Sequence, residues 1–206
     1  MRNDMRRFVG MAAMAIVVGA ATGALAEDAK TDSVRRVVTG LDGTDKAVVL
    51  FDSKYTRPVA VKDPIPRDYW TLGGFPAQAS SKDNGLAKIT ARFSPDPQKL
   101  VFRTVDFPPA PPKEVLDKLD VAMLMKLEGN EAPKRGKPSS HPFMHRTKTI
   151  DFAVVVSGEI DMVLDDSTVH LKAGDVVIQQ ETNHAWVNNG TEVCRIAFVQ
   201  VTSTAK

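Results

Sequence analysis

The stretch that decides the fold is His145-Arg-Thr-Lys-Thr-Ile-Asp151-Phe-Ala-Val-Val-Val-Ser-Gly158-Glu159. With its surroundings it reads as short strands broken by tight turns, the way a small β-barrel presents side chains to its interior. Just downstream, Ile160, Met162 and Leu164 alternate with Asp161, Val163 and Asp165, which predicts a half-buried strand. Asp165-Asp166-Ser167 turns the chain into Val169-His170-Leu171, and Gly174-Asp175 turns it again into the run from Val176 to Gln180. Asn189-Gly190 then predicts a hairpin leading into a last strand from Cys194 to Val201. Antiparallel strands at even spacing, with no crossover helices, predict a closed barrel or jelly roll.

Upstream, strand-like runs at Val34 to Thr39 and Ala47 to Phe51 flank Gly40-Leu-Asp-Gly43 and predict a hairpin. Residues 52–96 are rich in Pro, Gly and Ser; within them Tyr69-Trp70 is an aromatic pair in a loop, expected to cover core rather than cap a ligand pocket, and Ala87 to Phe93 predicts a strand. Leu100 to Phe107 is a strand ended by Pro108-Pro-Ala-Pro-Pro112. Val115, Leu116, Leu119, Met123 and Leu127 recur at helical spacing and predict one helix from Lys113 to Leu127, stopped by Gly129. A solvated loop follows from Glu131 to Ser140.

Arg2, Arg6 and Arg7, an apolar run from Phe8 to Ala21, and Ala24-Leu25-Ala26 predict a signal peptide cleaved after Ala26, favoured over a membrane anchor because the apolar run is short for a spanning helix and glycine-rich, with the Sec and twin-arginine routes both open. The expected organisation is therefore a signal at 1–26, an N-terminal extension at 27–140 with strands and one helix, and a barrel core at 141–206. The protein is expected to be exported, periplasmic or secreted, with no membrane role once the signal is removed. The chain carries 27 basic and 25 acidic residues; Arg2, Arg6, Arg7 and Asp4 lie within the signal, so the remainder is balanced. That balance, without basic runs or interleaved aromatics, argues against a nucleic-acid surface and for a small-molecule partner. Cys194 is the single cysteine and reads as a buried, inert thiol.

All four histidines, His141, His145, His170 and His184, fall in the barrel segment. His184, Trp186 and Asn188 are spaced by two and share one face of a strand, while His145 and Asp151 flank the start of another. Two imidazoles and a carboxylate are suitable ligands for iron, manganese, zinc, nickel or copper. His170 alternates with apolar neighbours and reads as outward and solvated; His141, before a proline, is either ligand-facing or merely exposed. Trp186 walls a pocket, fills the barrel, or does both. Asp165, Asp166 and Asp175 read as turn residues.

At these residues the sequence resembles the cupin superfamily. That family's first motif has two histidines one residue apart, three or four residues, a glutamate, six residues and a glycine. Its second has a glycine, a proline-glycine turn, a histidine, three residues and an asparagine. Gly158 matches the closing glycine, which sets Asp151 at the glutamate and, with three intervening residues, His145 and Thr147 at the histidines; four would set Met144 and Arg146 there. Gly174 opens the second motif, His184 is its histidine and Asn188 its asparagine, while Gln180 and Thr182 stand where proline and glycine are usual. The runs from Val34 to Phe51 and from Val105 to Pro109, with His141-Pro-Phe-Met-His-Arg-Thr147 and Asn183-His-Ala-Trp186, resemble a bacterial subfamily of single-domain cupins.

The resemblance implies an all-β double-stranded β-helix, a jelly-roll barrel with an N-terminal β extension and one short helix. It implies a divalent transition metal held by His145, Asp151 and His184, beside a small-molecule site lined by Arg146, Thr147 and Trp186. A metal there would act on a small organic acid or carbonyl compound, Arg146 pairing with a substrate carboxylate if it points inward. Thr147 in place of a histidine keeps a second reading open, a metal-free binding or sensing barrel. A homodimer formed through edge strands is the third expectation.

Overall fold

The computed structural model describes residues 33–56, 65–83, 100–118, 120 and 141–203. The expected signal peptide, the strand at 87–93 and most of the expected helix lie outside these residues. Ten strands are described: β1 (Ser33–Leu41), β2 (Ala47–Thr56), β3 (Ile65–Leu72), β4 (Leu100–Phe107), β5 (Thr149–Ser157), β6 (Glu159–Val163), β7 (Thr168–Lys172), β8 (Val176–Gln180), β9 (Ala185–Val187) and β10 (Cys194–Thr202). Between β4 and β5 stands α1 (Lys113–Leu116). The fold is all-β, as the strand pattern predicts.

Two antiparallel sheets form the barrel: a larger one in the order β3-β4-β10-β5-β8 and a smaller one in the order β7-β6-β9, with β1-β2 a separate hairpin. Between β5 and β10 the chain crosses from one sheet to the other four times, which is what winds it into a jelly roll. Gly158 makes the first crossing. Its φ of 75° suits glycine, and a Cβ there would stand 2.9 Å from both Cys194 Cα and the Val193 carbonyl oxygen. Gly174, at φ 96°, makes the return; its N–H donates to the Val155 carbonyl at 2.8 Å, while Asp175 accepts the Lys172 N–H.

The core follows from strand alternation. On β10, Cys194, Ile196, Phe198 and Gln200 are buried while their neighbours are half-buried. Val105, Phe107, Ala153, Val155, Ile196 and Phe198 of the larger sheet pack on Ile160, Met162 and Leu171 of the smaller. Each of these side chains larger than alanine contributes about 1.5–3 kcal/mol of burial.

Several elements differ from the sequence reading. The expected extension supplies β3 and β4, two of the larger sheet's five strands, so that sheet is built from both sides of residue 141. Tyr69-Trp70 lies in β3 rather than a loop, with Tyr69 buried and its hydroxyl 2.7 Å from that of Thr104. Gly40 remains in β1, and the hairpin turns instead at Asp42, whose carboxylate accepts from the Thr44 hydroxyl and the backbone of Thr44 and Lys46. The described helix stops at Leu116 and buries no residue. Asn189-Gly190 closes no hairpin, because β9 pairs with β6 whereas β10 pairs with β4 and β5.

Candidate functional site

The inward face of the larger sheet changes character along its length. Passing along β5 from Val155 and Ala153, it meets Asp151 and Thr149; along β10 from Ile196 and Phe198 it meets Gln200; along β8 Val177 is followed by Gln179. Register makes these one row, since Gln200 is opposite Asp151 and Asp151 opposite Gln179. Asp151, Gln179 and Gln200 are only 3%, 2% and 5% exposed. The Gln200 amide donates to Asp151 Oδ2 at 3.0 Å. Asp151 Oδ1, Gln200 Oε1 and both polar atoms of the Gln179 amide are buried without a hydrogen-bond partner. Burial pushes the Asp151 carboxyl above its ordinary range, opposed by the Thr149 hydroxyl, the Gln200 amide and the nearby Arg103 guanidinium. Arg103, from β4, pairs with Asp68 at 2.7 Å.

The histidines face the same end of the barrel. Asn188 donates to the carbonyls of Phe107 and Glu192 at 2.9 and 2.7 Å, so that end of β9 sits where Phe107 pairs with Cys194. Two residues back, Trp186 lies against Phe107 and edge-on to Phe198. His184 is two residues further in the same direction, on the side where β10 continues to Gln200. His145 joins it through an isolated antiparallel bridge, with backbone bonds of 2.9 and 3.0 Å and ring centroids 4.3 Å apart.

Both rings are fixed by the same local device. His145 Nδ1–H donates to the Phe143 carbonyl at 2.8 Å and His184 Nδ1–H to the Thr182 carbonyl at 2.9 Å, each two residues upstream. Because a carbonyl can only accept, the proton of each neutral ring sits on Nδ1 and the lone pair on Nε2. Burial holds both imidazoles neutral: the His184 pKa is pushed down to about 3 by burial and then by His145, against the Thr182 carbonyl, and that of His145 falls for the same first reason.

Asp151 is not grouped with the two histidines: among the described residues no three of His, Cys, Asp and Glu stand together so as to hold a metal. The imidazole pair does not by itself fit the metal implied by the resemblance. Arg146 is buried and directed to Glu181 at 3.7 Å, whose carboxylate also accepts from Ser203. Thr147 is buried and accepts the Thr149 hydroxyl at 2.8 Å. Trp186 both fills the barrel and edges His184.

His170 points outward, 2.8 Å from Asp161 and 3.5 Å from Glu159, and its pKa is raised chiefly by the Asp161 bond. His141 stacks beside Phe143 and its pKa is lowered by burial. The thiol of Cys194 is buried and pushed up to about 11 by burial and nearby carboxylates, which makes it inert. Asn188 is a structural anchor. Sequence reasoning missed Gln179, Gln200 and Arg103; the available signal was a polar residue at the inward period-two position of an apolar strand.

The family described as Cupin domain matches residues 132–200. A phomopsin biosynthesis cluster protein of Diaporthe leptostromiformis is 48% identical over 65 residues, 31% of this chain and 34% of that protein. A cupin-domain-containing oxidoreductase of Neurospora crassa is 38% identical over 60 residues, 27% of this chain and 31% of that protein. The chain thus spans about a third of the length of these curated relatives. Among solved structures, a Cupin 2 conserved barrel domain protein of Salinispora arenicola is similar at TM-score 0.30 and 16% identity, over 50% of this chain and 62% of that one. The chain is therefore similar to the cupin superfamily over residues 132–200, the segment that carries His145, Asp151, Gln179, His184 and Gln200.

Proposed function

We propose that this is an exported cupin-barrel protein that binds a small molecule at the polar end of its interior. The observation that carries the reading is the row of buried, unpartnered polar atoms on Asp151, Gln179 and Gln200. Folded proteins rarely leave such atoms unsatisfied, because each costs about 1–3 kcal/mol, and a polar ligand repays that cost. The neutral Nε2 lone pairs of His145 and His184 add acceptors at the same end. Export rests on the charged, apolar and small-residue pattern of the first 26 residues.

A second reading, a metal-dependent oxidoreductase, draws on the imidazole pair and on the name of the Neurospora crassa relative. It lacks the carboxylate ligand. Pairing with a second copy is supported by the outer face of the larger sheet, where Phe102, Val199, Phe152 and Ile178 form an apolar row across four strands ending at the edge strand β8.

Native mass spectrometry of the purified protein, with metal analysis of the same sample, tests these readings. A small organic mass released on unfolding, without stoichiometric transition metal, is expected. Bound metal lost in His145→Ala and His184→Ala would favour the second reading instead.

A further inference from the structure

Resting on the small-molecule reading above, we infer that the ligand is a neutral, polyhydroxylated compound recognised through its hydroxyl donors. The unpartnered atoms decide this by their type. Gln200 turns its amide nitrogen to Asp151, so its Oε1 is left as an acceptor. Asp151 Oδ1 and Gln179 Oε1 are acceptors too, and within the row formed by Gln200, Asp151 and Gln179 the one donor left over is Gln179 Nε2. The Nε2 atoms of His145 and His184 also accept, since each Nδ1 carries the proton. A site so rich in acceptors is complemented by a ligand rich in O–H groups. Row geometry adds a second constraint: adjacent strands lie about 4.8 Å apart, so Gln200, Asp151 and Gln179 offer acceptors at a spacing that a short polyol chain or ring spans.

Charge narrows the class further. An anionic ligand would bring its oxygens against Asp151 and a set of acceptors, while Arg146 is directed to Glu181 and Arg103 is paired with Asp68. A cationic ligand would meet Arg103, whose guanidinium acts on Asp151 from the next strands. A neutral polyol adds no charge to this end and supplies the missing donors.

Isothermal titration of the purified protein with erythritol, xylitol and myo-inositol, and in parallel with succinate and glutarate, tests the inference. Gln179→Leu, checked for an unchanged circular dichroism spectrum, serves as the site variant, and Gln179→Asn as the conservative one. At least one polyol is expected to bind, with affinity about tenfold or more weaker in Gln179→Leu and closer to wild type in Gln179→Asn. Binding of the dicarboxylates in preference to every polyol overturns the ligand class and leaves the small-molecule reading standing. No binding by either set overturns both, the row then being satisfied by water alone. Polyol binding that Gln179→Leu leaves intact overturns the assignment to this row.

Discussion

His184 shows how a single residue can be legible in position and illegible in state. Its spacing from Trp186 and Asn188 already sets it on an inward face, whereas its tautomer and charge depend on a bond to the Thr182 carbonyl and on a partner, His145, brought across by a bridge. Glutamines 179 and 200 escaped for the opposite reason. A polar residue in a strand reads as surface until the register shows which face is inward, and that depends on β5 lying between β8 and β10. The histidine pair gives a prediction at this scale. Unfolded histidine takes up a proton near pH 6.5, while folded His184 stays neutral down to about 3, so between these values the unfolded state binds more protons. Stability therefore falls as pH drops below 6.5, by about 1.4 kcal/mol per pH unit for His184. Asp151, with its raised pKa, acts in the opposite sense over its own window, favouring the folded state as pH falls. Urea unfolding from pH 7 to pH 4 with a chelator present should show a shallower loss in His184→Gln than in the wild type; equal slopes would refute the neutral pair.

Among the elements, β7, β8 and β10, marked by alternation or a glycine turn, lie within about a residue of the sequence reading, and β6 ends two residues sooner, at Val163. Those that differ are fixed by partners far along the chain. β3 has the proline and polar residues of a loop, and becomes a strand because β4 offers it an edge and its side chains an anchor. That anchor is Asp106, wholly buried on β4, which takes Arg195 of β10 through two bonds of 2.6 and 2.9 Å and Arg67 of β3 at 2.9 Å. One carboxylate thus ties three strands, and its register could not be read from local sequence. Removing it strands two arginines in a desolvated place. Asp106→Ala is expected to cost about 3–5 kcal/mol in urea unfolding, and a loss under about 1 kcal/mol would show that the ion cluster does not hold the sheet.

At the scale of the whole molecule, the jelly roll was legible from turns and alternation. The polar row was not, because Asp151 meets Gln200 and Gln179 only through the strand register, and among the described residues no three of His, Cys, Asp and Glu are grouped to hold a metal. The barrel is divided lengthwise. One end is packed with Phe107, Val155, Ile196 and Leu171; the other is lined by groups that folding alone leaves unsatisfied. On the proposed reading such a division sacrifices stability for a ligand site, and the sacrifice can be measured directly. Thermal unfolding of Gln179→Leu beside the wild type, each with and without a bound polyol, is the most direct test. The polar-end account predicts that the ligand-free variant melts a few degrees higher, as an unsatisfied amide gives way to an apolar side chain of similar size, and that it loses the stabilisation by ligand. A variant that melts lower than the wild type and still responds to the ligand would contradict it.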